Sequence, residues 1–418
     1  MIFYKKIITY QSILIKGIKE GVLCDSDNLE QLDKKYILHT YNRNYLAFQY
    51  GENARIYDKN GLEYIDFTAG IGVNSLGHNN KNLVESISKQ AAKLLHISNL
   101  FVIEPQAKLA KKIVDLSKYE MRVFFCNSGL EANECAIKIA RKYGESKNRF
   151  EIITLKNSFH GRSIATLKAC GQDKMHKHFA PFPEGFIYAE NINEAQKIAQ
   201  ERKSVVAIML ELIQGEGGIY AMPKDEVKAL ETFCQKNDIL LMIDEVQSGV
   251  YRSGEFLTSQ YYDIKPNVIS LAKGLGSGIP IGATMTDKID IFEFGDHGST
   301  FGGNPLAMSA GMCVLQTLEN YKKSGELESH ITLFDTHLRA LQSKFSDIIL
   351  GISGIGFMKG LKIINDEILT KIIQKAHEKR VLLLKSGNAT LRFLPPIIIT
   401  KDEINEGFKR LEAALSEI

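Results

Sequence analysis

From about residue 120 the chain alternates short, uninterrupted apolar runs with helical stretches: MRVFFC (121–126), a helix over 129–143, EIITL (151–155), VVAIMLEL (205–212), a helix over 224–237, ILLMID (239–244) and NVISLA (267–272). A run such as ILLMID, apolar at successive positions, reads as a strand covered on both faces. Its alternation with helices predicts an α/β domain built on a mainly parallel sheet. In such a sheet ligands lie beyond the carboxyl ends of the strands, so the chemistry is to be sought just after each run.

Elsewhere the pattern changes. After a long helix beginning near Pro305 come GISGIGFMKGLKI, a helix from about 366 to 379, RVLLLKSG, LRFLPPIIIT and a last helix from about 402, the outline of a smaller α+β domain. The segment 43–75 alternates around Asn60-Gly61 and suggests a hairpin. The expected division is an N-terminal segment 1–75 (an extension plus the hairpin, packing with the small domain), a large domain 76–320 and a small domain 321–418. The first 21 residues place lysines about every helical turn and read as an extra amphipathic segment, without the continuous apolar core of a signal peptide. No window offers the roughly 18 uncharged apolar residues of a membrane span.

Six cysteines (Cys24, Cys126, Cys135, Cys170, Cys234, Cys313) form no C-x-x-C pair, and Cys126 and Cys234 stand in apolar surroundings that suit buried thiols, which favours a reducing, cytoplasmic setting. A net charge of +3, from 52 basic and 49 acidic residues, leaves no electrostatic footprint for a nucleic acid or a membrane surface. A small polar metabolite is the better partner.

Each strand end carries something unusual for a plain connection. After RVFFC, Asn127, Ser128 and Gly129 turn directly into a helix. The free backbone N–H groups of its first turn would cradle a phosphate, and an ordinary start capped by Ser128 with Glu131 three residues on is the equal alternative. After EIITL, KNSFHGRS puts Phe159 and Arg162 on one loop, unless Gly161 simply makes a surface turn. After VAIMLELIQ, Glu216 sits among three glycines, which serve either close approach of another group or a tight turn. After ILLMID come the acids Asp244 and Glu245, and after NVISLA comes Lys273. A lysine beside an apolar strand is costly unless neutralised, paired or used covalently. Gly274, Gly276 and Gly278 miss the dinucleotide fingerprint, and neither a phosphate-binding Walker motif nor a histidine ligand cluster occurs, so nucleotide and metal readings recede. An anion site, an aromatic ring, an acid and a lysine together suit pyridoxal phosphate: a phosphate to cradle, a flat ring to stack, a protonated ring nitrogen that needs a carboxylate (Asp244), and an aldehyde that condenses with lysine.

Nine segments in order, FTAGIGVNSLGH, LLHISNLF, FCNSGLEANE, SFHGRS, LELIQGEGG, IDEVQSGVYRSG, LAKGLGSGIPIGA, HGSTFGGNPL and LRFLPP, resemble the class III (subgroup II) pyridoxal-phosphate aminotransferases, most closely the acetylornithine group, from about Tyr41 onward. The resemblance implies the fold-type I architecture, with a seven-stranded sheet in the large domain, and a homodimer with active sites shared at the subunit interface. It implies Lys273 as the lysine that condenses with the cofactor and moves the proton, Asp244 as partner of the ring nitrogen and Gln247 as contact to the phenolic oxygen. Val246 and Phe159 would cover the two ring faces, Ser128, Gly129 and Leu130 would bind the phosphate, and Thr300 would reach it from the neighbouring subunit, with Ser299 at the substrate mouth. Arg162 and Arg392 would clamp substrate carboxylates; Glu216 would pair with Arg392, shielding it for the amine donor and releasing it for glutamate, with Glu211 in support and Tyr41 near the substrate's distal end. Leu130 stands where the family's NSGTEA motif has threonine, so a hydroxyl contact to phosphate is lost while the backbone N–H remains.

The activity implied is transfer of the δ-amino group of N2-acetylornithine to 2-oxoglutarate, giving N-acetylglutamate 5-semialdehyde and glutamate in arginine biosynthesis; related enzymes also take N-succinyl-diaminopimelate. Ornithine and 4-aminobutyrate aminotransferases share every catalytic residue and are the nearest alternatives, with a non-catalytic binding protein of this fold as the alternative of another class. A nicotinamide oxidoreductase lacks its glycine fingerprint.

Overall fold

The structure, a computed structural model, describes residues 26–418. The amphipathic segment and Cys24 discussed above lie outside the described residues. The chain divides into two units, Met1–Phe48 and Gln49–Ile418. The described part of the first is the helix Ser26–Tyr36 followed by irregular chain.

At the centre of the second unit stands a seven-stranded sheet made of β1 (Arg122–Cys126), β2 (Glu151–Leu155), β3 (Phe186–Ala189), β4 (Val205–Leu210), β5 (Leu240–Asp244), β6 (Val268–Leu271) and β7 (Gly282–Thr286), in the order β1-β7-β6-β5-β4-β2-β3. Only β7 runs antiparallel to its neighbours; the other pairings are parallel. This is the expected mainly parallel sheet.

Strands β2, β4, β5 and β6 are buried at every position. Successive side chains of one strand feed opposite layers, because Cβ atoms alternate across a sheet. In β5, Leu240 and Met242 join Ile139 and Ala140 of the helix Gly129–Gly144, whereas Leu241 and Ile243 join Val227 and Leu230 of the helix Lys224–Lys236. Removing each such side chain from water contributes about 1.5–3 kcal/mol, and so a double-sided strand needs an apolar residue at each place rather than at alternate ones.

The C-terminal part adds a four-stranded antiparallel sheet, ordered Ile349–Ile355, Met358–Ile363, Thr390–Phe393, Leu384–Ser386. The strand Glu63–Asp66 pairs antiparallel with Arg55–Asp58 and parallel with Val381–Leu382, so sequence-distant segments share a small sheet. Between the first two, the Asp58 carboxylate accepts hydrogen bonds from the N–H groups of Asn60 and Leu62, and Gly61 takes a φ of 77°. Among the described residues no helix is long and apolar enough to cross a membrane.

Candidate active site

The carboxyl ends of β1, β2, β4, β5 and β6 surround a cavity of about 400 Å³. Period-two alternation decides which of the two acids after ILLMID faces it. Asp244 lines the cavity. The neighbouring Glu245 turns away, accepting hydrogen bonds from Ser259 N (2.8 Å), Thr258 N and the Ser259 hydroxyl at the start of the helix Thr258–Tyr262. It is a buried cap.

Three donors converge on Asp244: Asn133 Nδ2 at 2.7 Å and His160 Nδ1 at 2.8 Å on Oδ2, and Val246 N at 3.0 Å on Oδ1. Burial alone would strip the proton from His160, but the hydrogen bond and charge of Asp244 outweigh it and raise the imidazole above its ordinary value. Within this cradle His160 Nε2 and Asn133 Oδ1 are buried without partners among the described residues. Lys273 follows β6 with its backbone at φ 41°, a left-handed conformation unusual for a side chain of this kind, and it opens into the same cavity. Burial lowers its pKa from the usual lysine value, against the opposing charges of Asp244 and Glu211. The free amine is therefore more accessible here than on a surface.

Ser128 caps the helix Gly129–Gly144, its hydroxyl accepting from Glu131 N at 3.3 Å, while the Glu131 carboxylate returns to Asn127. Cap and cradle are thus the same feature, since the first-turn N–H groups of Gly129 and Leu130 lie at the cavity wall. A Cβ on Gly129 would come within 2.6 Å of Val246 Cγ1, and one on Gly215 within 2.4 Å of Gln247 Oε1. Both glycines admit the residues that follow Asp244. The Gln247 Oε1 atom so enclosed is buried and unpartnered among the described residues.

Phe159 lines the cavity with the Arg162 guanidinium 5.6 Å from its ring centre. Glu211 accepts from Phe159 N (3.0 Å) and Gly215 N (3.3 Å), tying two loops together. Burial pushes its carboxyl well above the usual range, opposed by His160 and reinforced by Asp244. From the small sheet, Arg392 Nη1 donates to Glu216 Oε1 at 2.6 Å and to Gly215 O at 3.2 Å, leaving Nε buried without a partner among the described residues.

Of the residues anticipated from sequence, Ser128, Gly129, Leu130, Phe159, Arg162, Glu211, Glu216, Asp244, Val246, Gln247 and Lys273 line this cavity, and Arg392 is joined to it by Glu216. Ser299 is linked through Asn127 Nδ2 at 3.2 Å. Thr300 is exposed and lines a different surface pocket with His96 and Asn99. Tyr41 belongs to the first unit, where its ring is exposed with the Arg43 guanidinium 5.5 Å from its centre. Asn133 and His160 were not singled out. The available signals were the place of Asn133 one helical turn after Gly129 and of His160 beside Phe159.

These residues fit pyridoxal phosphate: helix N–H donors for the phosphate, Phe159 and Val246 for the ring faces, Asp244 for the ring nitrogen, the Gln247 Nε2 amide as a donor to the phenolic oxygen and Lys273 for the aldehyde. Among the described residues no cluster of His, Cys, Asp and Glu has the arrangement to hold a metal ion.

The profile of the family described as aminotransferase class-III matches residues 36–415. The acetylornithine aminotransferase of Wolinella succinogenes is 52% identical over 393 residues, covering 93% of this chain and 100% of that protein. Among solved structures, the N-acetylornithine aminotransferase of Stenotrophomonas maltophilia matches with a TM-score of 0.78 at 33% identity, over 93% of this chain and 99% of that one. The ornithine aminotransferase of Toxoplasma gondii, described with partial occupancy of PLP at its active site, matches with a TM-score of 0.89 at 28% identity, over 97% and 98%. With a lysine, an acid and a helix N-terminus gathered at the strand ends, and a family profile that spans nearly the whole chain, this protein belongs to the class-III aminotransferases.

Proposed function

We propose that this aminotransferase moves the δ-amino group of N2-acetylornithine to 2-oxoglutarate, giving N-acetylglutamate 5-semialdehyde and glutamate. The observation that carries the reading is the pair at the cavity edge, where the Arg392 side chain is 5% exposed while its partner Glu216, 2.6 Å away, is 38% exposed. A site that accepts two substrates with carboxylates at different distances from the reacting nitrogen needs one cation that is neutralised for the first and bared for the second. Without Glu216 or a substrate carboxylate, the buried guanidinium would be left unpaired, which is strongly unfavourable. The choice of acetylornithine over ornithine rests on the relative at 52% identity that bears that name.

Pyridoxal phosphate, when bound, supplies an aldehyde that takes up amino groups and a ring that withdraws the electrons left by a departing C–H proton. The chain's residues do the rest. Lys273 Nζ, its charged form disfavoured by burial, would take up a proton from the substrate carbon and give it back. Asp244 accepts a hydrogen bond from the protonated ring nitrogen, its carboxylate oriented by Asn133, His160 and Val246 N. Ser128, Gly129 and Leu130 bind the phosphate, and Thr300 of a second copy reaches it across a homodimer interface. Phe159 and Val246 hold the ring between them, and Gln247 orients it. Arg162 and Arg392 clamp carboxylates in bidentate fashion, with Ser299 at the substrate mouth and Glu211 steadying the loops. The partners are soluble metabolites, and the free cysteines support a cytoplasmic location.

Steady-state kinetics with acetylornithine, ornithine, N-succinyl-diaminopimelate and 4-aminobutyrate, each against 2-oxoglutarate, test the reading. Acetylornithine should lead ornithine and 4-aminobutyrate in kcat/KM by at least about tenfold, the discrimination that one substrate group commonly provides. A preference for ornithine or 4-aminobutyrate overturns it, and a colourless protein that cofactor cannot reconstitute would favour a binding role instead.

A further inference from the structure

Where the Glu216 carboxylate sits relative to Arg392 depends on the backbone that carries it, and a neighbouring hairpin holds that backbone. Leu384–Ser386 and Thr390–Phe393 form one antiparallel hairpin, in which Leu384 lies opposite Arg392 and Ser386 opposite Thr390. Its turn is stitched to the backbone on both sides of Glu216. The buried Ser386 hydroxyl accepts from Gly218 N at 3.0 Å and donates to Gly215 O at 2.8 Å. Gly387 N donates to Glu216 O at 3.1 Å, and Asn388 Nδ2 donates to Gly217 O at 2.9 Å. The carbonyls of three successive residues, 215 to 217, are therefore all bound by one turn, and Arg392 itself adds a bond to Gly215 O. The approach is close: a Cβ on Gly387 would lie 2.6 Å from Glu216 O. Asn388 adopts φ 55° and Ala389 φ 49°, a strained pair that is kept where the surroundings over-determine it.

We propose that Ser386 and Asn388 are positioning residues for the substrate gate: the turn that follows one arm of the Arg392 hairpin clamps the 215–218 backbone, so that donor and acceptor are distinguished by rotation of the Glu216 side chain and not by movement of its loop. The inference deepens the proposed function and rests on its two-carboxylate logic. Loosening the clamp leaves Glu216 less well placed over Arg392. Donors that need the arginine neutralised then lose, and dicarboxylates that need it bare do not.

The test uses the holoenzyme and measures the two half-reactions separately, together with the affinity for glutarate, a dicarboxylate of the acceptor's length, by calorimetry. In Ser386→Ala the ratio of donor kcat/KM to 2-oxoglutarate kcat/KM should fall about tenfold, as expected for two lost hydrogen bonds, with glutarate binding unchanged or tighter. Ser386→Thr, which keeps the hydroxyl, should recover most of the ratio. Asn388→Gly, which removes one bond at an exposed position and tolerates the positive φ, should lower it about threefold without loss of fold. In a Glu216→Gln background, Ser386→Ala should leave the ratio where Glu216→Gln alone puts it. Equal loss in both half-reactions, weaker glutarate binding, or an undiminished effect in the Glu216→Gln background would overturn the clamp. Failure of wild-type protein to use acetylornithine would instead overturn the substrate reading, whatever the variants do.

Discussion

At the scale of single residues, the site holds three groups whose charges the fold has adjusted. Lys273 should be indispensable: Lys273→Ala is expected to lose more than about 10³-fold in kcat, and to lose the visible absorbance of bound cofactor while circular dichroism stays native. The His160 ring is hydrogen-bonded to Asp244. His160→Gln, which removes a charge-assisted hydrogen bond but leaves those from Asn133 and Val246 N, should lower kcat by about tenfold to a hundredfold with little change in KM, and the pH titration of the cofactor's visible spectrum should shift. Glu211 makes a stability prediction whose sign follows from linkage. Its folded pKa is raised, so between the ordinary glutamate value near about 4.3 and the raised one the folded state binds more protons than the unfolded state, and stability falls as pH rises through that window. Glu211→Gln should therefore have a higher denaturant midpoint than wild type at pH of about 8, with the difference vanishing near about 4. A constant difference across that range would refute the assignment. Asp244 and Lys273 were legible as chemistry in the sequence because each is a charge placed at the end of an apolar strand; His160 and Asn133 were not, because their importance lies in a partner 84 or 111 residues away.

At the scale of elements, the strands whose side chains are apolar at every position were readable, and the reason is burial on both faces. β3 and β7 were less readable: Phe186–Ala189 is an apolar run of only four residues on a half-buried edge, and Gly282–Thr286 is small and polar enough to hide its place between β1 and β6. The loops at the strand ends explain their own glycines. Gly129→Ala should push Val246 off the cavity wall, since the added carbon would sit 2.6 Å from Val246 Cγ1. A clash of that kind costs about 1–3 kcal/mol. We expect the cofactor dissociation constant, measured by absorbance titration, to rise at least about tenfold while thermal unfolding remains cooperative. The two readings of the Asn127-Ser128-Gly129 turn merge for a related reason. A helix whose first N–H groups are capped by Ser128 still has spare donors, and β1 delivers them to the place where Asp244 and Lys273 also arrive.

At the scale of the whole molecule, Leu100 at 90% and Val102 at 95% exposure, with Phe101 and Phe301 above 60%, leave an apolar surface beside Thr300, the residue proposed to serve a second copy. Sedimentation velocity should give a homodimer, and Val102→Asp should weaken it by about tenfold or more, with cofactor retention falling in parallel; a monomeric wild type that keeps its cofactor would count against shared sites. What the sequence by itself determined was the alternation of five apolar strands with helices, the mainly parallel sheet and the location of the chemistry at strand ends, since period and apolar run length are local properties that adjacent residues carry. Only the tertiary structure decided that Asp244 would be held by Asn133 and His160, and that Glu245 would cap a helix instead. Such pairings depend on strand order and on which side of each strand a side chain emerges, and burial makes them energetically decisive: in the interior a polar group without its partner is heavily penalised, whichever segment supplies it.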